Sequence, residues 1–129
     1  MYEIRAQVEF SAAHHLLDYE GGKCENQHGH NWLVEAFVRG DILDQSNILV
    51  DFKALKRDLR LILADLDHQD LNELPDFKGE SPSSEFIANY IYYRLKEKYV
   101  ELHKIAVWES RERSEEHTAE LQSPCNLVC

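Results

Sequence analysis

Hydrophobic and polar positions alternate strictly from the start of the chain. Tyr2, Ile4, Ala6, Val8 and Phe10 fall on one parity, and Glu3, Arg5, Gln7 and Glu9 on the other. A period of two marks a half-buried strand, here over residues 2–10. His14 keeps the apolar parity, so a strand prolonged through Ala12 and Ala13 turns its imidazole toward the sheltered side. The alternation returns in His28, His30, Trp32, Val34, Ala36 and Val38, which predicts a second strand antiparallel to the first. Between the two, Leu16 to Gln27 contains the turn formers Asp18, Gly21 and Gly22 and reads as a long, site-building loop.

Beyond turn signals at Gly40-Asp41 and Asp44-Gln45-Ser46-Asn47 the period becomes helical. Asp51 is placed as an N-cap, and Phe52, Leu55, Leu59, Ile62, Leu63 and Leu66 form one stripe. Lys53, Lys56, Arg57, Asp58 and Arg60 take the wet side, and the helix is expected to end near Asp67-His68. Pro75 and Gly79 bracket a loop, after which Ser81-Pro82 reads as N-cap and first helical residue, with Glu85 in the first turn. Phe86, Ile87, Tyr90, Ile91 and Leu95 make the core face of this second helix. Strand pattern resumes from Leu102 to Glu109, with Ile105, Val107 and Glu109 on one face. The order β-β-α-α-β, with a last strand possible, predicts an α+β fold: an antiparallel sheet with two helices packed on one face. Open sheet edges make association with further copies physically sensible.

A chain of 129 residues, 43% hydrophobic and 29% charged, is long enough for one domain with a real core. Its net charge of −10 argues against sequence-independent binding of nucleic acid or anionic membrane, which needs clustered Lys and Arg. No stretch approaches the roughly 20 apolar residues of a membrane span. The opening Met1-Tyr2-Glu3-Ile4-Arg5 reads as strand rather than signal peptide, so a cytoplasmic protein with a reduced Cys24 is expected. From Arg113 onward the composition breaks, and Arg113 to Cys129 reads like the translation of a DNA-sequencing adapter. The expectation is therefore a domain over 1–112 and a non-native, disordered tail over 113–129. Cys125 and Cys129 belong to that tail, which leaves Cys24 as the cysteine to interpret and removes any disulfide framework.

Candidate chemistry concentrates in Cys24-Glu25-Asn26-Gln27-His28-Gly29-His30. Two histidines two apart on an extended backbone share a face and can share a cation, and zinc suits imidazole nitrogen. A third ligand is available in Ala12-Ala13-His14-His15. Three histidines leave zinc an open, catalytic position, whereas recruitment of Cys24 as a fourth ligand would close it into a structural site. Gly29 would let another backbone approach closely. Asp67-His68 by itself reads as a solvated helix end.

Six patches occur in an order that resembles the 6-pyruvoyl-tetrahydropterin synthase family, including its 6-carboxy-tetrahydropterin synthase branch. They are Phe10-Ser11-Ala12-Ala13-His14, Cys24-x3-His28-Gly29-His30, Asp51-Phe52, Leu66-Asp67-His68-x2-Leu71-Asn72, Pro82-Ser83-Ser84-Glu85 and Glu109. Ser83 stands where many relatives carry Thr, which keeps the hydroxyl. The resemblance implies a T-fold assembled as an oligomeric strand barrel, a homohexamer built as a dimer of trimers. It also implies Zn2+ on His14, His28 and His30, with His15 left out. Cys24 would move protons on the substrate side chain in a relay with Asp67 and His68. Glu109 would accept the parallel donor pair of a pterin ring, N3–H and the 2-amino group, beside Ser83 and Ser84.

The implied activity is a zinc lyase acting on 7,8-dihydroneopterin triphosphate to give 6-carboxy-tetrahydropterin, on the route to queuosine and related deazapurine tRNA bases. Formation of the 6-pyruvoyl product is the alternative within the family. In a further branch a glutamate near residue 25 replaces the cysteine and yields 6-hydroxymethyl-dihydropterin for folate, which makes Glu25 a candidate second base. Outside enzymes, the same residues fit a zinc-stabilised oligomer that binds pterins.

Overall fold

The computed structural model describes residues 1–17, 28–109 and 118–119. The alternating segments form long strands, β1 (Tyr2–His14) and β2 (His28–Gly40), paired antiparallel in unbroken register from Tyr2↔Gly40 to His14↔His28. Helix α1 (Phe52–Leu63), a two-residue strand β3 (Gln69–Asp70), helix α2 (Ser84–Lys96), β4 (Leu102–Trp108) and β5 (Thr118–Ala119) follow. The sheet order is β3-β1-β2-β4-β5 among the described residues. All described pairs are antiparallel except β3, which runs parallel to β1 at Ala12 and Ala13. The α+β expectation is met, with this small parallel edge added.

The even parity of β1 and β2 turns inward as the alternation requires: Ala6, Phe10, Ala12, Trp32, Val34, Ala36 and Val38 are buried. Against them pack Leu55, Leu59 and Leu63 of α1 and Ile87, Ala88, Ile91 and Leu95 of α2, in one continuous core. Two residues of the α1 stripe reading need correction. Phe52, at the first helical position, is 47% exposed. Asp58, placed on the wet side by periodicity, is only 7% exposed. It is sheltered because the Tyr99 hydroxyl donates to its Oδ2 at 2.6 Å, with the Arg57 and Lys98 cations at 3.3 and 3.7 Å. A buried carboxylate survives when hydrogen bonds and charge replace its water.

Helix ends also differ from the periodicity. Asp51 caps α1 as expected, accepting from Lys53 N–H at 3.0 Å, but α1 stops at Leu63. Leu66 still reaches the core because a tight turn follows, with both Leu66 and Asp67 N–H donating to the Leu63 carbonyl. For α2 the cap is Ser83, not Ser81: the Ser83 hydroxyl accepts from Phe86 N–H at 3.1 Å. Pro82 stands outside the helix because its carbonyl is taken by His14.

The 112/113 boundary remains a proposal. Two residues of the 113–129 stretch, Thr118–Ala119, pair with β4 as β5, and the rest of that stretch lies outside the described residues.

The Asp58–Tyr99 bond ties α1 to the turn between α2 and β4. The Tyr99 phenol is pushed up to about 12 from its ordinary 10.0, by burial first and by Asp58 second. Tyr99→Phe should cost about 1.5–3 kcal/mol at neutral pH, the range for a hydrogen bond to a charged group. Because the folded pKa is raised, the wild-type advantage is fully present below pH 10 and is lost as pH rises toward about 12. Urea titrations of both proteins between pH 8 and 12 measure this; an advantage that persists at pH 12 would contradict it.

Candidate metal centre and cleft

The register of β1 on β2 builds the centre. His14 lies opposite residue 28, and Ala12 opposite His30, so His14 and His30 are diagonal neighbours on the buried face. Trp32, next inward on β2, backs both rings edge-on, with centroids 4.9 Å from His14 and 5.3 Å from His30. Its indole N–H donates to the Ala12 carbonyl at 3.3 Å, which locks the platform to β1. At the end of β4 the phase of Ile105 and Val107 carries Glu109 inward as expected, to 1% exposure. Its carboxylate stands 3.7 Å from His30 Nε2.

His14, His30 and Glu109 each bring one ligand atom to within 4.8 Å of the others, a group that could hold a metal ion. The tautomer of His14 fits that use. Nδ1 lies 2.7 Å from the Pro82 carbonyl and must carry the proton there, which leaves Nε2 as the lone-pair nitrogen. A shared cation would also compensate the buried Glu109 carboxylate. His15 points elsewhere, its Nε2 3.4 Å from the Asn72 side-chain amide.

Ser11, Ala13, His30, Asn31, His68 and Asp70 line an open cleft of about 500 Å³, of which His30 is the one member shared with the centre. Gly29 belongs to its lining, and among the described residues a Cβ there would meet the Ala12 carbonyl oxygen at 3.9 Å, an ordinary contact.

Asp67 and His68 are not on a helix, which removes the objection that sequential residues diverge. His68 adopts a left-handed backbone, φ 58°, and its Nδ1 comes to 3.0 Å from Asp67 Oδ1. Ser11 secures this turn by donating its N–H to the same oxygen at 2.9 Å and accepting from His68 N–H at 2.6 Å. The Ser11 N–H first, and His68 second, hold the Asp67 carboxyl below its usual range, so it is an anion that orients the imidazole. That imidazole is 81% exposed at the cleft rim, where a solvated acid or base can reach a substrate.

Of the other site residues named from sequence, Ser84 is buried at the start of α2, and the Ser83 hydroxyl serves as the helix cap. Cys24 and Glu25 lie outside the described residues, as does the side chain of His28. Sequence reasoning passed over Trp32 and the Pro82 carbonyl. Trp32 read only as core, although its shared parity with His28 and His30 was a usable signal.

Fold and site together define a tetrahydropterin-synthase-type protein, with helices on one sheet face and a His/Glu group at the end of the paired strands. The comparisons agree. A family model described as 6-pyruvoyl tetrahydropterin synthase matches residues 3–120, and the chain belongs to that family. It is 37% identical over 116 residues to 6-carboxy-5,6,7,8-tetrahydropterin synthase of Synechocystis, covering 85% of this chain and 88% of the relative. To the Bacillus subtilis protein of the same name it is 36% identical over 95 residues, covering 70% of this chain and 63% of that one. The structure of Caenorhabditis elegans 6-pyruvoyl tetrahydropterin synthase superposes with a TM-score of 0.78 at 28% identity, covering 87% of this chain and 91% of that one. The architecture is accordingly the T-fold of this family.

Metal content of purified variants checks the assignment. His30→Ala should lose most bound metal, while His15→Ala should keep the wild-type amount, about one ion per chain as for a single three-histidine site. Full occupancy in His30→Ala would contradict it.

Proposed function

We propose that the chain is a zinc-dependent carbon–carbon lyase that converts 7,8-dihydroneopterin triphosphate and water to 6-carboxy-5,6,7,8-tetrahydropterin, releasing acetaldehyde and triphosphate, for queuosine and related deazapurine synthesis. The observation that carries this reading is the meeting of His14, His30 and Glu109 at the end of the paired strands, where His30 also lines a cleft that reaches His68. The 6-carboxy name of the two relatives favours this product over the 6-pyruvoyl one.

His14 and His30, joined by His28, would hold the metal. Bound zinc would supply Lewis acidity at the substrate's side-chain oxygens. Glu109 then has two roles open to it, both served by a buried carboxylate: metal contact, or acceptance of the pterin N3–H and 2-amino donors with Ser83 and Ser84 beside it. Anionic Asp67 holds the imidazole Nδ1 of His68, so Nε2 takes or returns the proton. Cys24 would act on the substrate side chain as a thiolate, a state favoured by a nearby cation. Glu25, its neighbour, would be the base of a minor route to 6-hydroxymethyl-dihydropterin. The largely unpaired outer edge of β1, where a strand covers only Ala12 and Ala13 among the described residues, suits assembly into a homohexamer. No described helix is long and apolar enough to cross a membrane, and we place the enzyme in the cytoplasm. Residues 1–112 would form the working domain.

Product analysis with 7,8-dihydroneopterin triphosphate on zinc-loaded protein tests the reading. Carboxy-tetrahydropterin with equimolar acetaldehyde is expected, abolished in Cys24→Ala. A 6-pyruvoyl product reassigns the reaction, and pterin binding without turnover would make the chain a binding protein. Hydroxymethyl-dihydropterin persisting in Cys24→Ala but absent from Glu25→Ala would support the second base. Neither product in a Cys24→Ala protein that keeps its zinc contradicts it.

A further inference from the structure

Among the described residues the pairing of β1 with β2 reaches His14↔His28 and that with β3 reaches Ala13↔Asp70, and the chain runs on through His15, Leu16 and Leu17. Leu16 stays on the buried parity of Ala12 and His14. The N–H and C=O groups of the odd-numbered residues lie on the outer edge here, and these groups need partners. Side chains supply them. At His15 the Asn72 carboxamide binds both groups, Oδ1 accepting from the N–H at 2.9 Å and Nδ2 donating to the carbonyl at 3.0 Å. At Leu17 the Ser81 hydroxyl does the same, accepting from the N–H at 2.7 Å and donating to the carbonyl at 3.3 Å. The outer edge of residues 11, 13, 15 and 17 is thus read in turn by Asp67-His68, by β3, by Asn72 and by Ser81.

Asn72 is itself held: the Asp70 carboxylate accepts from its backbone N–H at 3.2 Å and caps the 3₁₀ turn Leu71–Glu73 that carries it. The amide meets an N–H and a carbonyl in parallel, as a strand neighbour would. The group it fixes follows His14 directly, so it sets the backbone from which that imidazole reaches both the Pro82 carbonyl and the metal centre.

We propose that Asn72 is a positioning residue for the metal centre, a one-residue substitute for a strand that keeps His14 aimed, with Ser81 as a second, weaker peg. The inference rests on the reading of His14 as a ligand. Polar partners that orient metal-binding histidines typically contribute about 10–100-fold in metal affinity. Here the orientation is applied through the backbone.

Competitive zinc titration of chelator-stripped protein, with the visible spectrum of the cobalt form as a second readout, tests it. Asn72→Ala should bind zinc about 10–100-fold more weakly and shift the cobalt bands. Asn72→Asp, which keeps an acceptor for the His15 N–H but sets a carboxylate against its carbonyl, should fall between and carries the test if Asn72→Ala does not fold. Tyr99→Phe, which weakens the fold away from the cleft lining, should keep wild-type affinity and spectrum. If His14→Ala loses zinc while Asn72→Ala and Asn72→Asp bind it as wild type does, the positioning role is wrong. If His14→Ala itself keeps wild-type affinity, the ligand reading fails and the inference falls with it.

Discussion

The antiparallel register of β1 on β2 is the constraint from which the rest follows. Thirteen consecutive residue pairs, Tyr2↔Gly40 to His14↔His28, commit one parity of each strand to the core. A slip of β2 by one residue would exchange its faces, turning Trp32, Val34 and Ala36 out of the core and the exposed Asn31 toward it. Burial of one Leu- or Trp-sized side chain contributes roughly 1.5–3 kcal/mol, so a slip affecting many such positions is prohibitive. The register that protects the core is the same one that sets His14 and His30 diagonally against the Trp32 ring. Metal-site geometry is therefore inherited from core packing.

Charge is handled differently at each of three buried or partly buried carboxylates, and the differences track their uses. Asp58 is satisfied by the Tyr99 hydroxyl and two cations and fastens α1. Asp67 takes a backbone N–H and a neighbouring imidazole, which keeps it anionic while leaving His68 at the cleft rim. Glu109 is the most enclosed and sits beside the two histidines, where an ion or the donor edge of a ring can share its charge. The acidic balance of the whole chain thus says little about the site, where each carboxylate has a particular partner.

Much of this was legible in the sequence because strand alternation carries parity, and parity carries side-chain direction. His14, His30 and Glu109 all fell on the inward face when read that way, and the structure gathers all three. What could not be read depends on contacts distant in the chain. Ser81 and Ser83 are both acceptable caps, and the choice was made by His14, 68 residues from the Pro82 carbonyl it binds. Asp58 looked solvated because its partner Tyr99 lies 41 residues away. The Asp67–His68 pair was obscured by assuming a continuing helix, and no hydrophobic period announces a left-handed histidine. Asn72 matched a motif, but nothing local says that its amide stands in for a strand.

The central claim is that histidines of the paired strands hold one metal at the end of those strands. X-ray absorption at the metal edge of the zinc-loaded protein tests it most directly, because it counts and identifies ligands without requiring turnover. The account predicts imidazole nitrogens at about 2.0–2.1 Å, with outer-ring scattering from at least two histidines that disappears stepwise in His14→Ala and His30→Ala. A coordination shell without histidine scattering, or one dominated by sulfur at about 2.3 Å, would contradict it.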